Sequence, residues 1–197
     1  MKKTFPAIEA KDLSMVWGNL KVLNKINLLV NSGDKLAIVG PSGTGKSTIL
    51  KILAGLILPT NGRLKIFGEE QKYLRLDQNT PPDVRLVFQN PALLGSLTIE
   101  ENVGFILNRN KKIPKKYIKD LVNECLEEVG LFNVAQKLPN ELSGGMQKRV
   151  SFARALINEP KGKKEDKPLL LFDEPTAGLD PIASSRIEDL INKTNDK

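Results

Sequence analysis

The order of apolar and polar residues predicts a chain in which strands alternate with helices. Two strand-like segments, around Ile8 to Val16 and Val22 to Val30, flank Trp17-Gly18-Asn19 and predict an antiparallel hairpin. Short runs rich in apolar residues predict further strands at 36–39, 63–67, 84–88 and 169–172. The first and last of these runs are apolar on both faces, which is typical of buried strands in a parallel sheet.

Helical patterns fill the segments between these strands. Thr98 and Glu101 have the spacing of a capping box and predict a helix start. Apolar positions between Pro114 and Gly130 repeat at helical spacing and predict a second helix. Further helices are predicted after residue 47, from about 143 to 160 and from 182 to 192. This order predicts an α/β fold with a parallel core sheet and a helical insert.

Composition narrows the class of protein. The 197 residues, 40% of them hydrophobic, suffice for one well-cored domain, and a single cysteine excludes an internal disulfide. No apolar run approaches the roughly 18 residues that span a bilayer, and the N-terminus lacks the apolar core of a signal peptide. We therefore expect a protein that is not secreted and whose role at any membrane is peripheral. The absence of histidine removes the usual general base and the commonest metal ligand.

The formal charge of +7 is compatible with nucleic acid, with anionic lipid or with solubility alone. Lysines cluster at 111–119 and 161–167, with only Tyr117 as an interleaved aromatic residue. We interpret both clusters as solvated surface, and no nucleic-acid partner is expected.

The most specific chemical signal is a glycine-rich segment that fits G-x-x-x-x-G-K-[ST]. Glycine allows backbone N–H groups to approach a triphosphate. Lys46 is predicted to contact the terminal phosphates, and the hydroxyl of Ser47 to contact Mg²⁺. The alternative is a turn that matches by chance. The predicted nucleotide-binding residues are Gly40, Pro41, Ser42, Gly43, Thr44, Gly45, Lys46, Ser47 and Thr48.

Three polar residues follow predicted strands. Asp173 and Glu174 end the apolar run 169–172, so Asp173 is a candidate Mg²⁺ ligand and Glu174 a candidate base for the attacking water. Gln89 ends the preceding strand and is a candidate ligand of the metal or of that water. The alternatives are a solvated acidic turn for the carboxylates and a surface amide for Gln89.

A second anion-binding helix start is predicted at Leu142 to Gln147, where Ser143, Gly144 and Gly145 precede an amphipathic helix. One nucleoside triphosphate needs only one phosphate-binding loop. This second helix N-terminus is therefore available to a nucleotide held by another copy of the chain. The alternative is a plain N-cap.

From about Ile8 to Asn195 the chain resembles the nucleotide-binding domain of ABC transporters. The matching motifs are Walker A at 40–47, the Q-loop at Gln89, the signature at 142–147, Walker B at 169–174 and the D-loop at 178–180. The resemblance implies a P-loop NTPase fold, with a RecA-like parallel core sheet, an N-terminal antiparallel β subdomain and a helical subdomain at about 89–147. It also implies a single ABC ATPase domain over residues 1–197.

The resemblance further implies ATP and Mg²⁺ as cofactors and hydrolysis coupled to transport. Trp17 falls where the family has an aromatic that stacks on adenine; the alternative is a core Trp in the hairpin. Two copies would pair head to tail, with Ser143, Gly144 and Gly145 on the γ-phosphate of the opposite subunit and Asp180 coupling the two sites.

An integral membrane permease is the implied partner, with a substrate-binding protein as a further candidate. The chain would lie on the cytoplasmic face of the membrane, in a bacterial cytoplasm or a plastid stroma. Residues 87–105, together with Met146 after Gly144-Gly145, resemble the ATPases of Mla-type lipid transporters of bacteria, cyanobacteria and plastids. This detail predicts lipid as the cargo.

The chain departs from the family pattern at its end. The family continues with a strand and a turn that carries a histidine contacting the γ-phosphate, whereas this sequence ends at Lys197 and has no histidine. We therefore expect a domain truncated at its C-terminus, in which ATP binding is a firmer expectation than turnover. The alternatives are a non-hydrolysing ATP-binding dimerisation module and a soluble ABC ATPase outside transport.

Overall fold

The computed structural model describes residues 5–109, 112–158 and 168–193. The strands are β1 (Ile8–Trp17), β2 (Leu20–Val30), β3 (Asn61–Ile66), β4 (Glu69–Glu70), β5 (Val84–Val87) and β6 (Leu169–Phe172). The helices are α1 (Lys46–Leu53), α2 (Ile99–Val103), α3 (Phe105–Asn108), α4 (Lys115–Glu128), α5 (Gly144–Leu156) and α6 (Pro181–Lys193), with 3₁₀ turns at Arg75–Asp77 and Pro139–Glu141.

The predicted N-terminal hairpin is confirmed. β1 and β2 pair antiparallel, and Trp17 lies opposite Leu20 across a two-residue turn. Gly18 opens that turn at φ +56°, a conformation that glycine adopts without steric cost. β1 also pairs with β3, and β4 adds a short edge, so the sheet order is β2-β1-β3-β4. One face of the sheet is buried with α1, as the nearly complete burial of Leu13, Ile66 and Ile52 shows.

A second sheet consists of β5 and β6, which run parallel. The Leu169 N–H donates to the Asp83 carbonyl at 2.9 Å and fixes the start of this pairing. Both strands were predicted, and the α/β fold class is confirmed. Asp173 follows β6 directly.

The strand predicted at 36–39 is not formed. Residues 34–40 have no regular secondary structure, and all of them are exposed, Val39 at 87%. A strand exists only through its ladder with a neighbour, and the pairing of β5 with β6 does not include this segment. The apolar run alone could not supply that neighbour.

The remaining helices pack around a core of fully buried side chains that includes Val103, Val122 and Phe152. The capping box at Thr98 and Glu101 is present, and each partner of the box bonds the other's backbone N–H. Helix α4 lies within the segment predicted between Pro114 and Gly130, and α5 begins after Ser143, as expected. These local signals therefore defined the helix starts well, whereas α5 ends at Leu156, before the stop predicted at Pro160, because Ile157 is already extended.

The chain divides into two compact units. The first unit takes in 1–86 and 168–173, and the second takes in 87–167 and 174–197, so the chain changes unit after Leu86 and again between Asp173 and Glu174. Of the lysine clusters, Lys112, Lys115, Lys116 and Lys119 are exposed, whereas Lys111 and the cluster at 161–167 lie outside the described residues. Among the helices described, none has both the length and the apolar character needed to cross a membrane.

Candidate functional site

Helix α1 of the first unit begins with a glycine that no other residue could replace without strain. Gly45 is the N-cap at φ +93°, and a Cβ there would lie 3.0 Å from methyl groups of Leu23 and Val22. No side chain caps this helix, and its first turn holds no acidic residue. The N–H groups and the positive end of the helix dipole are therefore suited to an anion.

Lys46 folds back over the loop that precedes α1. Its Nζ donates to the carbonyl oxygens of Gly40 and Pro41 at 2.9 and 2.7 Å. The Thr44 hydroxyl also donates to the Pro41 carbonyl, at 2.9 Å. These bonds keep the cationic end of Lys46 at the glycine-rich loop, and its contact with phosphate stays a prediction. Of the other predicted residues, Ser42 and Gly43 are exposed and Thr48 is half-buried within α1.

Ser47 and Asp173 are 126 positions apart in the sequence and form a direct hydrogen bond. The Ser47 Oγ donates to Asp173 Oδ1 at 3.0 Å, and both residues are half-buried. A hydroxyl and a carboxylate oxygen are suitable ligands for Mg²⁺, which keeps several waters and takes one or two protein oxygens. Within the described ranges no group of three or more acidic or cysteine side chains is gathered. The residues present therefore fit Mg²⁺ shared with phosphates better than a closed protein cage.

In the second unit, Gln89 and Glu174 are in contact. The Gln89 Nε2 donates to Glu174 Oε2 at 2.6 Å, and both side chains are exposed. Glu174 adopts φ +47°, in the left-handed region that costs a non-glycine residue about 1–2 kcal/mol. An exposed carboxylate held by an amide, on a strained backbone, has the features of a positioned base.

Ser143 is the N-cap of α5. Its Oγ accepts a hydrogen bond from the Met146 N–H at 3.3 Å, and Gly144 and Gly145 form the first turn. The Ser143 side chain and Gly144 are exposed. The structure thus contains the helix start that the sequence predicted, with its hydroxyl proton available for an acceptor.

Asp180 caps α6. Its Oδ1 accepts from the Ala183 N–H at 2.9 Å, and its carbonyl accepts from the Ser184 N–H at the same distance. The hydrogen bond from Ala183 is the main reason that the pKa of Asp180 is lowered, with smaller contributions from the Ile182 N–H and the charge of Arg149. The carboxylate is therefore held in its charged form, with a defined orientation.

Trp17 is 53% exposed at the end of β1. The alternative interpretation of Trp17 as a core residue is therefore wrong. An exposed indole face remains available for stacking, which is the role that the resemblance implies.

The structure gathers the predicted residues into two groups, Lys46, Ser47 and Asp173 in the first unit and Gln89 with Glu174 in the second. Their roles stay predictions. The sequence interpretation missed Lys148, which is buried in α5 and donates to the backbone carbonyl of Glu174. A signal was present: Lys148 lies at helical spacing from Ser151, Phe152 and Ala155, all of which are buried.

Comparison with known proteins gives concordant matches. A family model described as ABC transporter matches residues 23–177. The protein TRIGALACTOSYLDIACYLGLYCEROL 3, chloroplastic, of Arabidopsis thaliana is 44% identical over 189 residues, which cover 95% of this chain and 55% of that protein. The intermembrane phospholipid transport system ATP-binding protein MlaF of Haemophilus influenzae is 36% identical over 193 residues, covering 96% of this chain and 70% of MlaF.

The fold matches that of a solved structure described as a dimeric bacterial ABC transporter cassette, MJ0796. The TM-score is 0.83 at 32% identity, and the match covers 96% of this chain and 83% of that one. The chain spans about half the length of the Arabidopsis relative. Because the family model matches most of the chain and the Arabidopsis relative is 44% identical over nearly all of it, the chain belongs to the ABC transporter family.

Proposed function

We propose that this chain is the ATP-binding subunit of an ABC transporter, which binds and hydrolyses ATP with Mg²⁺ to drive transport through a separate membrane permease. The observation that carries the proposal is the uncapped start of α1, with Lys46 at the loop and Ser47 bonded to Asp173. Backbone N–H groups, a cation and two oxygen ligands together suit a nucleoside triphosphate with its metal.

Each residue has a defined task in this proposal. Lys46 would donate to phosphate oxygens, and Ser47 and Asp173 would hold Mg²⁺, which would neutralise phosphate charge when bound. Glu174 orients and deprotonates the attacking water. Gln89, through its 2.6 Å hydrogen bond, orients the Glu174 carboxylate. Removing the Gln89 amide would leave this exposed carboxylate with more rotamer freedom and slow the reaction.

We further infer a head-to-tail dimer in which Ser143, Gly144 and Gly145 contact the nucleotide of the other copy and Asp180 links the two sites. The dimeric state of the MJ0796 cassette supports this arrangement. Within the single ATPase domain proposed here, helices α2, α3 and α4 support a helical subdomain at about 89–147.

Lipid is the proposed cargo, because MlaF is described as part of a phospholipid transport system. The chloroplastic Arabidopsis relative supports a plastid as one setting, with the chain attached to the stromal face, and a bacterial cytoplasm is the other. Co-purification with a multispanning permease tests the partner. Salt-sensitive binding to RNA or DNA would instead favour an ABC ATPase outside transport.

The decisive experiment on the activity is Glu174→Gln. The amide cannot accept a proton, so phosphate release should fall about 100-fold or more, while the affinity for ATP stays within about threefold of the wild type. Phosphate release and equilibrium binding of a fluorescent ATP analogue measure the two quantities. Asp189→Asn, an acidic residue of α6 placed in none of these roles, is the matched control and should turn over ATP normally. Equal turnover in the wild type and Glu174→Gln would reject the catalytic role of Glu174.

A further inference from the structure

Lys148 is a buried lysine whose hydrogen-bond partners include two backbone carbonyls. It lies in α5 with only 4% of its surface exposed. Its Nζ donates to the Glu174 carbonyl at 2.8 Å and to the Ala177 carbonyl at 2.7 Å. Lysine is almost never fully buried unless its donors are satisfied, so these bonds contribute to making its burial possible.

The two carbonyls belong to the segment that carries the proposed base. Glu174 is in the left-handed region at φ +47°, and its carbonyl also accepts from the Ala177 N–H at 3.3 Å. A strained backbone conformation persists only where its surroundings enforce it. Lys148 bonds both ends of the turn from Glu174 to Ala177, so it enforces the backbone from which the carboxylate projects. Gln89 separately contacts the carboxylate itself.

The same helix begins at the proposed contact with the other copy's nucleotide. Ser143 caps α5 five residues before Lys148, and the helix between them is continuous. Gly145 also lies close to the loop that follows Glu174, since a Cβ built on Gly145 would be 3.6 Å from the Leu179 side chain. A rigid helix of little more than one turn therefore joins the segment 143–145 to the backbone of Glu174.

We propose that Lys148 is a positioning residue for hydrolysis, which fixes the Glu174 backbone and ties it to the α5 start that closes on the partner copy's nucleotide. This inference rests on the proposed function. As a consequence, when residues 143–145 contact the nucleotide of the partner copy, they set the position of Glu174. Glu174 is the base that acts on the nucleotide held by its own chain. Lys148 contacts neither nucleotide in this arrangement, and acts through the carbonyls of Glu174 and Ala177.

The test compares three side chains at position 148 in the full chain. Lys148→Met keeps the length but removes the donors, so turnover should fall about 10- to 100-fold, as expected for a misplaced catalytic group. The affinity for ATP should stay within about threefold, since binding does not use this residue. Lys148→Arg retains donors for both carbonyls and should recover most of the turnover.

A second readout does not depend on turnover. Amide hydrogen exchange at 174–179 should accelerate in Lys148→Met but not in Lys148→Arg, because loss of the bonds frees the turn. Val122→Ala, which opens a cavity in the helical core far from this turn in sequence, is the stability-matched control. It should lower the thermal midpoint without selective exchange at 174–179 and without the loss of turnover.

The outcomes separate the two proposals. If the wild type turns over no faster than Glu174→Gln, the proposed function fails, and the exchange data still decide whether Lys148 positions the turn. If the wild type is active but Lys148→Met stays within about twofold of it, the positioning role is overturned. The role is also overturned if Lys148→Arg is as slow as Lys148→Met, or if exchange at 174–179 is unchanged.

Discussion

Two helix starts carry the proposed phosphate contacts, and they are built differently. At α1 the N-cap is Gly45, which offers no side chain to the free N–H groups. At α5 the N-cap is Ser143, whose Oγ already accepts from the Met146 N–H. The start of α1 also has Lys46 within the first turn, whereas the first turn of α5 contains only uncharged residues.

The difference indicates different binding strengths. Four N–H groups at a helix start lack intrahelical partners, and α1 leaves them to a ligand, with a cation beside them. At the start of α5, the Ser143 hydroxyl already accepts a hydrogen bond from one of these N–H groups. An anion bound there would therefore satisfy fewer free N–H groups than one bound at α1. This fits a primary nucleotide site at α1 and a secondary contact at α5 that matters only when a second copy brings its nucleotide.

The largest expected effect is at the primary site. Lys46→Ala removes the cation at the loop and should weaken ATP binding by about 10- to 100-fold or more, because hydrogen bonds to charged groups contribute about 1.5–3 kcal/mol. Calorimetric titration with ATP and Mg²⁺ measures the affinity. Lys51→Ala, which removes an exposed lysine in the last turn of the same helix, should bind normally. Undiminished affinity in Lys46→Ala would contradict the assignment of the primary site.

A smaller effect is expected from the backbone geometry of the two starts. Gly45→Ala forces a Cβ into the left-handed region against Val22 and Leu23, so it should destabilise the first unit by about 1–3 kcal/mol. Gly144→Ala is the matched control, because a Cβ there meets nothing within 4 Å. Urea denaturation should show a lower midpoint only for Gly45→Ala. Equal midpoints would mean that the tight geometry of Gly45 is not needed for folding.

The smallest effect is at the α5 cap. Ser143→Ala removes the acceptor for the Met146 N–H and should cost about 1 kcal/mol, or about 2–4 °C in the thermal midpoint for a chain of this size. Ser143→Gly should cost only a few tenths of a kcal/mol, since a glycine N-cap leaves the N–H groups to water. Differential scanning calorimetry compares the variants. If Ser143→Ala lowered the free energy of unfolding as much as Gly45→Ala does, the proposed difference between the two helix starts would be contradicted.

The amino-acid sequence by itself determined the features that depend on neighbours along the chain. The hairpin follows from two alternating segments around Gly18, and the capping box from Thr98 and Glu101 three residues apart. The glycine-rich loop could be predicted to precede a helix, because the spacing of Gly40, Gly45 and Lys46 is a local pattern. Such features depend on short-range sterics and hydrogen bonds, which a local sequence pattern encodes.

The tertiary structure alone decided which distant groups meet. Ser47 with Asp173 and Gln89 with Glu174 are separated by 126 and 85 positions, and no local pattern sets those distances. The segment 36–39 was predicted as a strand from its apolar residues, but a strand needs a neighbour that only the fold can provide. The helical spacing of Lys148 places it on a buried face, but its two carbonyl partners are set only where α5 meets the turn at Glu174. Which residues distant in sequence come into contact is decided by the packing of whole helices and strands. The free energy of each such hydrogen bond depends on the burial and the polar groups around it.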